Sequence, residues 1–250
     1  MAPAATSDSK LLKLQKPLDV VIIGAGLGGL AAAMAFKRRN FNVTVIESAS
    51  EFKSLGGMLG FAPNGTRLLD RYDSTFKKDL YDAATKADVI GMRDFKGRLI
   101  HNESIDTTES SGYRILPGSR SHFHRLFLDH TLEAGVKVIY GARAKEFRDE
   151  DGKRPSVLTT DGQLFEGDLI VAFDGVKSKA RDYVLGYPSP PMPSGYSCYR
   201  GYAPGDALRK DPLTAPLVDG DVGNFWIGDD CVRAFSPSIY DSLTYHQFTL

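Results

Sequence analysis

Four glycines follow a short apolar run near the start of the chain. The sequence GAGLGG occupies residues 24–29, directly after the β-branched run at 19–23. In such a pattern Gly24 permits a tight turn, Gly26 lets the backbone approach a pyrophosphate, and Gly29 lets a following helix pack close to a strand. The N-terminus of that helix offers N–H groups and a dipole, which stabilise a bound anion by up to about 2 kcal/mol. The glycines therefore predict an adenine dinucleotide site.

A strand, a helix and a second strand must position these glycines. The apolar run at 19–23 predicts a strand buried on both faces, the alanine-rich segment at 27–39 a helix, and the segment at 42–47 a second strand. Glu47 ends that strand about twenty residues after the glycines, where a carboxylate accepts hydrogen bonds from ribose hydroxyls. The acid disfavours a 2′-phosphate, but the spacing is compatible with FAD and with NAD. A βαβ unit without a ligand is the alternative.

Helical and strand patterns alternate along the rest of the chain. Helical spacing occurs at 64–86 and at 121–134, and strand patterns with a hairpin turn occur at 89–100. Three short segments between Ala144 and Glu166 predict an antiparallel meander, and 168–173 predicts another buried strand. The sequence thus predicts an α/β fold with a parallel sheet.

Composition restricts the partners and the compartment. The 31 basic and 31 acidic residues cancel and form no long runs, so we expect neither nucleic acid nor a membrane as a partner. Residues 1–17 lack a secretory signal, and glycines interrupt the apolar stretch at 19–36, which argues against a membrane span. Cys198 and Cys231 show neither metal spacing nor a disulfide framework, which favours the cytoplasm. The five histidines lack metal spacing, so no metal site is expected.

Four segments resemble one protein family, in that family's order. They are the glycine-rich unit ending at Glu47, the glycine-rich loop and Pro-Asn helix start at 55–69, the Ser-Arg helix start at 119–126 and the Asp-Gly segment at 168–181. Together they are similar to the FAD-dependent monooxygenases of the salicylate hydroxylase and para-hydroxybenzoate hydroxylase type. The resemblance extends over nearly the whole chain. The resemblance favours FAD as the cofactor, whereas the glycine spacing alone does not distinguish FAD from NAD.

The resemblance implies a cofactor, a reaction and a set of site residues. FAD would be the cofactor, with NAD(P)H as co-substrate and O2 as oxidant, and an aromatic ring or secondary metabolite would be hydroxylated or epoxidised. The implied cofactor contacts are Gly24, Ala25, Gly26, Gly29, Glu47, Gly57, Arg120, Asp174 and Gly175. Arg200 lies where the family enters its substrate-domain sheet, and it would face the substrate, since an arginine can bind a phenolate or carboxylate. The alternatives are surface ion pairs for both arginines and an ordinary turn at Asp174.

The resemblance also implies a domain organisation. Four prolines at 187–195 mark a linker, after which only strand-like pieces are predicted. We expect a flexible tail at 1–17, a Rossmann-like FAD-binding domain with the β-meander at 18–186, and a partial antiparallel substrate-domain sheet at 187–250. Residues 73–100 are candidates for a contribution to that second domain.

Departures from the family leave two further functions open. Met58 and Phe173 replace small residues near the flavin, and His122 replaces an acidic one. The family's later Gly-Asp segment has no counterpart before Leu250, so we expect a C-terminally truncated form that forms a homo-oligomer or binds a chain supplying the missing half. One alternative is a non-catalytic relative that acts by binding a ligand or a partner protein. The other alternative is an NAD-dependent oxidoreductase. Such an enzyme would require a catalytic Tyr-Lys or His pair, and none is apparent in the sequence.

Overall fold

A computed structural model describes most of the chain as two compact units. The described residues are 16–53, 57–85, 89–195, 198–218, 222–228, 232–237 and 243–249. The first unit contains residues 16–51 and 134–187, and the second contains 52–133 and 188–249. Most of the predicted N-terminal tail, Leu55 and Cys231 lie outside the described residues.

The elements follow one another in this order. The first half contains β1 (Asp19–Ile23), α1 (Leu27–Lys37), β2 (Asn42–Ile46), β3 (Met58–Phe61), α2 (Pro63–Leu69), α3 (Ser74–Asp82), β4 (Val89–Asp94), β5 (Leu99–Ser104), α4 (Thr108–Ser111), β6 (Leu116–Ser119) and α5 (Arg120–Glu133). The second half contains β7 (Lys137–Ile139), β8 (Ala144–Arg148), β9 (Ser156–Thr159), β10 (Leu164–Glu166), β11 (Leu169–Ala172), α6 (Lys179–Leu185), β12 (Cys198–Pro204), α7 (Gly205–Arg209), α8 (Ala215–Val218), β13 (Val222–Ile227), β14 (Val232–Pro237) and β15 (Leu243–Thr249).

A parallel sheet organises the first unit. Its strand order is β11-β1-β2-β7, and every pair is parallel. Val21 and Ile23 of β1 pack with Ile46 of β2 in a buried cluster that continues to Val157 of the meander. Because parallel strands end at the same edge of a sheet, the segments after β1, β2 and β11 come together there. The predicted α/β fold with a Rossmann-like unit is confirmed.

Polar side chains at the opposite edge fix the register of three strands. The Asp19 N–H donates to Asp168 Oδ2 at 2.8 Å, and Arg154 Nη2 donates to Asp19 Oδ2 at 2.7 Å. Asn42 Nδ2 donates to Asp19 Oδ1 at 2.9 Å, and the donation from Asn42, followed by that from Arg154, lowers the pKa of Asp19. These contacts tie β1 to the starts of β2 and β11.

The predicted meander forms, with β9 between β8 and β10 in an antiparallel sheet. Gly162, in the tight turn between β9 and β10, has φ of +87°, which glycine adopts without strain. The predicted strand at 168–173 also forms as β11, but the expectation that it is buried is wrong. Leu169 is 42 % exposed, because β11 is an edge strand in the described part of the sheet.

A six-stranded, largely antiparallel sheet organises the second unit. Its order is β12-β15-β14-β13-β4-β5, and the one parallel pair is β13 with β4. The predicted antiparallel sheet is therefore present, and it includes two strands that precede the proline-rich segment. The predicted domain limits at 18, 186 and 187 stay predictions, although the structure groups 52–133 with the residues after 187.

Two short helices depart from the sequence expectation after residue 196. Only strand-like pieces were predicted there, but α7 and α8 form with five and four residues. Helices this short complete barely one turn, so they show no apolar periodicity to detect. Within the described ranges, no helix combines the length and the apolar character needed to cross a bilayer.

Candidate functional site

Two of the glycines are required by the turn from β1 into α1. Gly24 has φ of +103°, and a Cβ there would lie 2.5 Å from the carbonyl oxygen of Phe173. A Cβ on Gly29 would lie 1.9 Å from the carbonyl oxygen of Gly24, so the first turn of the helix rests directly on the strand end. The structure thus shows the tight turn and the close helix packing that the sequence predicted.

Gly26 is different, because the fold does not need a glycine there. It caps α1 with φ of −72° and ψ of 175°, and a Cβ at this position would meet no atom within 4 Å. The Leu30 N–H makes the first intrahelical bond, to the Gly26 carbonyl at 3.0 Å, so the helical amides before it have no acceptor within the helix. Open space therefore faces the positive end of α1, as a diphosphate requires.

The Glu47 carboxylate is held beside this open space. Its Oε2 accepts from the Ala25 N–H at 2.8 Å, and its Oε1 accepts from the Ala49 N–H at 2.8 Å and from Ser48 Oγ at 3.0 Å. Burial acts to raise the pKa of Glu47, but the donors, led by Ala49 and Ala25, outweigh it and lower the pKa. A further hydrogen bond from the Ser48 backbone also contributes to this lowering. The ionised carboxylate lines the open space, so a ribose hydroxyl placed there can donate to it.

Asp174 and Gly175 form the turn that leads into α6. Asp174 Oδ1 accepts from Ser178 Oγ at 2.6 Å, and its Oδ2 accepts from the backbone N–H groups of Lys179 at 2.8 Å and Ala180 at 3.2 Å. Gly175 has φ of +80°. Asp174 therefore holds the start of α6, and the same turn forms one wall of the cavity described next; its role in cofactor binding stays a prediction.

A cavity of about 310 Å³ lies at the carboxyl ends of β1, β2 and β11. It is lined by Ile23, Gly24, Gly26, Glu47, Ser48, Ala142, Arg143, Ala144, Phe173, Asp174, Gly175, Lys177 and Lys179. Five predicted cofactor contacts meet there, namely Gly24, Gly26, Glu47, Asp174 and Gly175. Ligands of open α/β sheets bind at this edge, and small-molecule sites have volumes of about 300–1,000 Å³. The residues present fit the nucleotide end of a dinucleotide.

Sequence reasoning missed the basic residues of this cavity. Arg143 enters through the loop after β7, which is the neighbour of β2 in the sheet, and Lys177 and Lys179 follow the Asp-Gly turn. The two lysines stood within a segment already singled out. No sequence pattern marked Arg143 as a site residue, because its place in the cavity depends on the order of the strands in the sheet.

The other four predicted cofactor contacts lie at two places, Ala25 and Gly29 at the start of α1 and Gly57 and Arg120 in the second unit. Ala25 belongs to the loop at the α1 N-terminus, where its N–H binds Glu47. Gly57 and Arg120 belong to the second unit, where the Arg120 N–H at the start of α5 donates to the buried Gly57 carbonyl at 2.8 Å. Two of the resembling segments therefore meet in the second unit, and their role in cofactor binding stays a prediction.

Arg200, the predicted substrate contact, lies on β12. Its backbone is paired with Gln247 of β15. Its side chain lies outside the described residues, so its role also stays a prediction. No group of three or more potential metal ligands occurs among the residues that the structure describes.

The family is decided by sequence comparison. The model of the family described as FAD dependent oxidoreductase matches residues 19–171, which hold β1, the meander and eight of the thirteen residues that line the cavity. The chain belongs to this family. FAD is the cofactor that the family description names, and the fold and cavity described above fit it.

Several known proteins are similar to this chain. It is 27 % identical over 211 residues to asperlicin C monooxygenase of Petromyces alliaceus, covering 84 % of this chain and 42 % of the relative. It is 32 % identical over 224 residues to FAD-dependent monooxygenase OpS4 of Beauveria bassiana, covering 87 % and 51 %. The crystal structure of Klebsiella pneumoniae HpxO complexed with FAD and uric acid superposes with a TM-score of 0.79 at 26 % identity, covering 93 % of this chain and 56 % of that one. The resemblance to FAD-dependent monooxygenases is confirmed, and the chain spans about half the length of these relatives.

Proposed function

We propose that this chain is the FAD-binding part of a monooxygenase, with the adenosine diphosphate of FAD at the N-terminus of α1. The observation that carries the proposal is the meeting of Gly26, Glu47 and Asp174 around one cavity, although they come from separate sequence segments. The open face of Gly26 fits a diphosphate, and the ionised Glu47 fits a ribose hydroxyl. Bound FAD would supply the redox chemistry, and the chain would supply binding and orientation.

The proposed reaction uses NAD(P)H and O2. The nicotinamide donates a hydride, one oxygen atom enters the substrate as a hydroxyl or epoxide, and the other leaves as water with one added proton. The substrate class we propose is an electron-rich aromatic ring or a secondary metabolite. This class is supported by the names of the relatives, one of which is asperlicin C monooxygenase. Arg200 is proposed to face that substrate, and the cytoplasm is proposed as the compartment.

The proposal extends to partners. The described edge strand β11 and its exposed Leu169 favour contact with a further polypeptide, because unpaired strand edges and apolar surface promote association. We propose that this polypeptide is a second copy or a chain corresponding to the remaining half of the relatives. Sedimentation of the purified chain distinguishes a dimer from a monomer that awaits another partner.

Reduction of bound FAD tests the activity. The purified chain is loaded with FAD, mixed with NADH or NADPH without oxygen, and followed by its visible flavin absorption. We expect bleaching with at least one nicotinamide, recovery of the absorption on admitting O2, and oxygen label in an aromatic product when labelled O2 is used. Bound FAD that neither nicotinamide reduces would overturn the monooxygenase activity for this chain.

One residue favours a second function, that of a non-catalytic member of the family. The ring of Phe173 lines the cavity, and a Cβ on Gly28 would lie 3.1 Å from its Cδ1. The ring therefore stands at the first turn of α1, on the path toward the diphosphate position. If Phe173 blocks FAD, the purified chain is colourless and FAD binds only to the Phe173→Ala variant. If FAD binds both proteins equally, this second function loses its support.

A further inference from the structure

Three basic side chains share the cavity with two carboxylates. Arg143, Lys177 and Lys179 line it together with Glu47 and Asp174. None of the basic residues belongs to the glycine motif or to the set of contacts that the family resemblance implied. Their charges therefore require a separate account.

The two carboxylates are already compensated by the protein backbone. Glu47 accepts from the N–H groups of Ala25 and Ala49. Asp174 accepts from the N–H groups of Lys179 and Ala180. Hydrogen bonds from N–H groups to an ionised carboxylate stabilise its charge in place. Neither carboxylate forms an ion pair with Arg143 or Lys177 among the residues that the structure describes.

The basic side chains lack equivalent compensation. Within the described ranges, the Arg143 guanidinium and the Lys177 ammonium form neither a hydrogen bond nor an ion pair with a protein group. Lys179 Nζ is 3.7 Å from Asp182 Oδ2, so its charge is partly balanced. Among the residues that the structure describes, Arg143 and Lys177 are thus exposed cations that line the cavity without a protein counter-ion.

The positive end of α1 adds to their field. The helix dipole places about half an elementary charge at its N-terminus, which opens into the same cavity. A guanidinium binds phosphate oxygens through paired N–H donors, and an ammonium acts as a point charge. The combination is suited to a ligand with several negative charges close together.

We propose that Arg143 and Lys177 determine the selectivity of the cavity for phosphate charge. They make it prefer a nucleoside diphosphate over a monophosphate, and a monophosphate over the free nucleoside. They also steer the anionic cofactor toward the α1 N-terminus, because a surplus of like charges at a cleft raises the local concentration of an oppositely charged ligand. The inference rests on the proposed FAD site and assigns to it two residues outside the glycine motif.

Titration calorimetry of the full chain with ADP, AMP, adenosine and FAD tests the inference. The variants are Arg143→Gln, Lys177→Gln and their combination, and Arg143→Lys keeps the charge. Lys145→Gln is the matched control, because Lys145 is exposed in the same unit but does not line the cavity. Thermal unfolding of each variant checks that the fold is unchanged.

We expect each neutralised cation to weaken ADP and FAD binding about threefold to fivefold at low salt, the range of an exposed ion pair. The double variant should lose about tenfold or more for ADP, less for AMP and nothing for adenosine. The loss should shrink at high salt, because mobile ions screen exposed charges. Lys145→Gln should bind as the wild type does.

The outcomes separate the inference from the proposed site. If the wild type binds ADP and FAD and the double variant binds both equally well, the selectivity role of the two cations is overturned and the FAD site stands. If the wild type binds neither ligand, the FAD site fails and the inference fails with it. An equal loss for ADP and adenosine would show an effect of shape rather than charge and would also overturn it.

Discussion

At the scale of single residues, a substitution at Gly26 should affect cofactor binding without affecting the stability of the fold. Its φ of −72° suits any residue, and a Cβ there meets no protein atom within 4 Å. Gly26→Ala should therefore change the free energy of unfolding by less than about 1 kcal/mol. The added methyl group stands where the diphosphate approaches the backbone, so FAD affinity should fall about tenfold, as for loss of one hydrogen bond to a charged group.

Flavin fluorescence titration and urea unfolding check this pair of expectations. Lys145→Gln is again the control, because Lys145 is exposed in the same unit and does not line the cavity. That variant should bind FAD as the wild type does. Unimpaired FAD binding by Gly26→Ala would show that the diphosphate does not lie at this position.

Glu47 gives a prediction about pH. Its pKa in the folded protein lies below the ordinary value of 4.5, so its interactions stabilise the fold above pH 4.5 and are lost as the pH falls through the lowered pKa. Glu47→Gln removes the charge and turns an amide toward the N–H donors of Ala25 and Ala49. The variant should be less stable than the wild type by about 1–2 kcal/mol at pH 7, and the difference should shrink below pH 4.5.

Urea unfolding at pH 7 and at about pH 3 measures this difference. Glu166→Gln serves as the control, since Glu166 is exposed in the same unit. A stability difference for Glu47→Gln that is the same at both pH values would show that the carboxylate charge is not what stabilises the loop.

Spacing in the sequence was sufficient for the turn at Gly24, the close packing at Gly29 and the place of Glu47 directly after β2, because all three are local to one βαβ unit. The place of Arg143 in the cavity could not be predicted from the sequence, because it depends on β7 lying next to β2 in the sheet. Asp174 lines the cavity, but its bonds to the start of α6 were not predicted, and its contact with the cofactor stays a prediction. Local chemistry can be read from neighbours in the chain, whereas a shared cavity depends on which strands are neighbours in space.

At the scale of elements, the packing of α1 on β1 depends on Gly29. A Cβ on Gly29 would lie 1.9 Å from the Gly24 carbonyl oxygen, and backbone atoms at that distance can only separate by moving the helix. Gly29→Ala should destabilise the protein by about 2–3 kcal/mol, the upper range for overpacking. Gly65→Ala should instead stabilise it by up to about 1 kcal/mol, because alanine favours helix and has room there.

Urea unfolding of both variants measures these opposite effects. Circular dichroism identifies a Gly29→Ala protein that has lost the fold altogether, which is the extreme of the same prediction. A Gly29→Ala protein as stable as the wild type would contradict the close approach of α1 to β1.

Elements bounded by strong turn signals were predicted well. The hairpin between β4 and β5 and the turn between β9 and β10 contain Gly97 and Gly162, both with positive φ. The pairing of β3 with β6 was not predicted, since β6 contains Pro117 and Gly118, which weaken any strand pattern. The fold compensates because Gly118 packs against Phe123, where a Cβ would lie 2.6 Å from the ring.

At the scale of the whole molecule, the second unit contains a strand pairing that local sequence patterns do not predict. β4 pairs in parallel with β13, so that Val89 lies opposite Val222. Local periodicity predicts each strand but not a partner more than a hundred residues away in the sequence. The family resemblance supplied that long-range information in part, by marking 73–100 as candidates for the second domain.

Hydrogen exchange of the full chain with and without FAD tests the central claim most directly. If the diphosphate rests on the N-terminus of α1, FAD should slow exchange in the peptide covering residues 24–29, with a smaller effect around Asp174. The Gly26→Ala variant, at the same FAD concentration, should show much less protection there. FAD that binds the chain while leaving exchange at 24–29 unchanged would contradict the account, because its phosphates would then lie elsewhere.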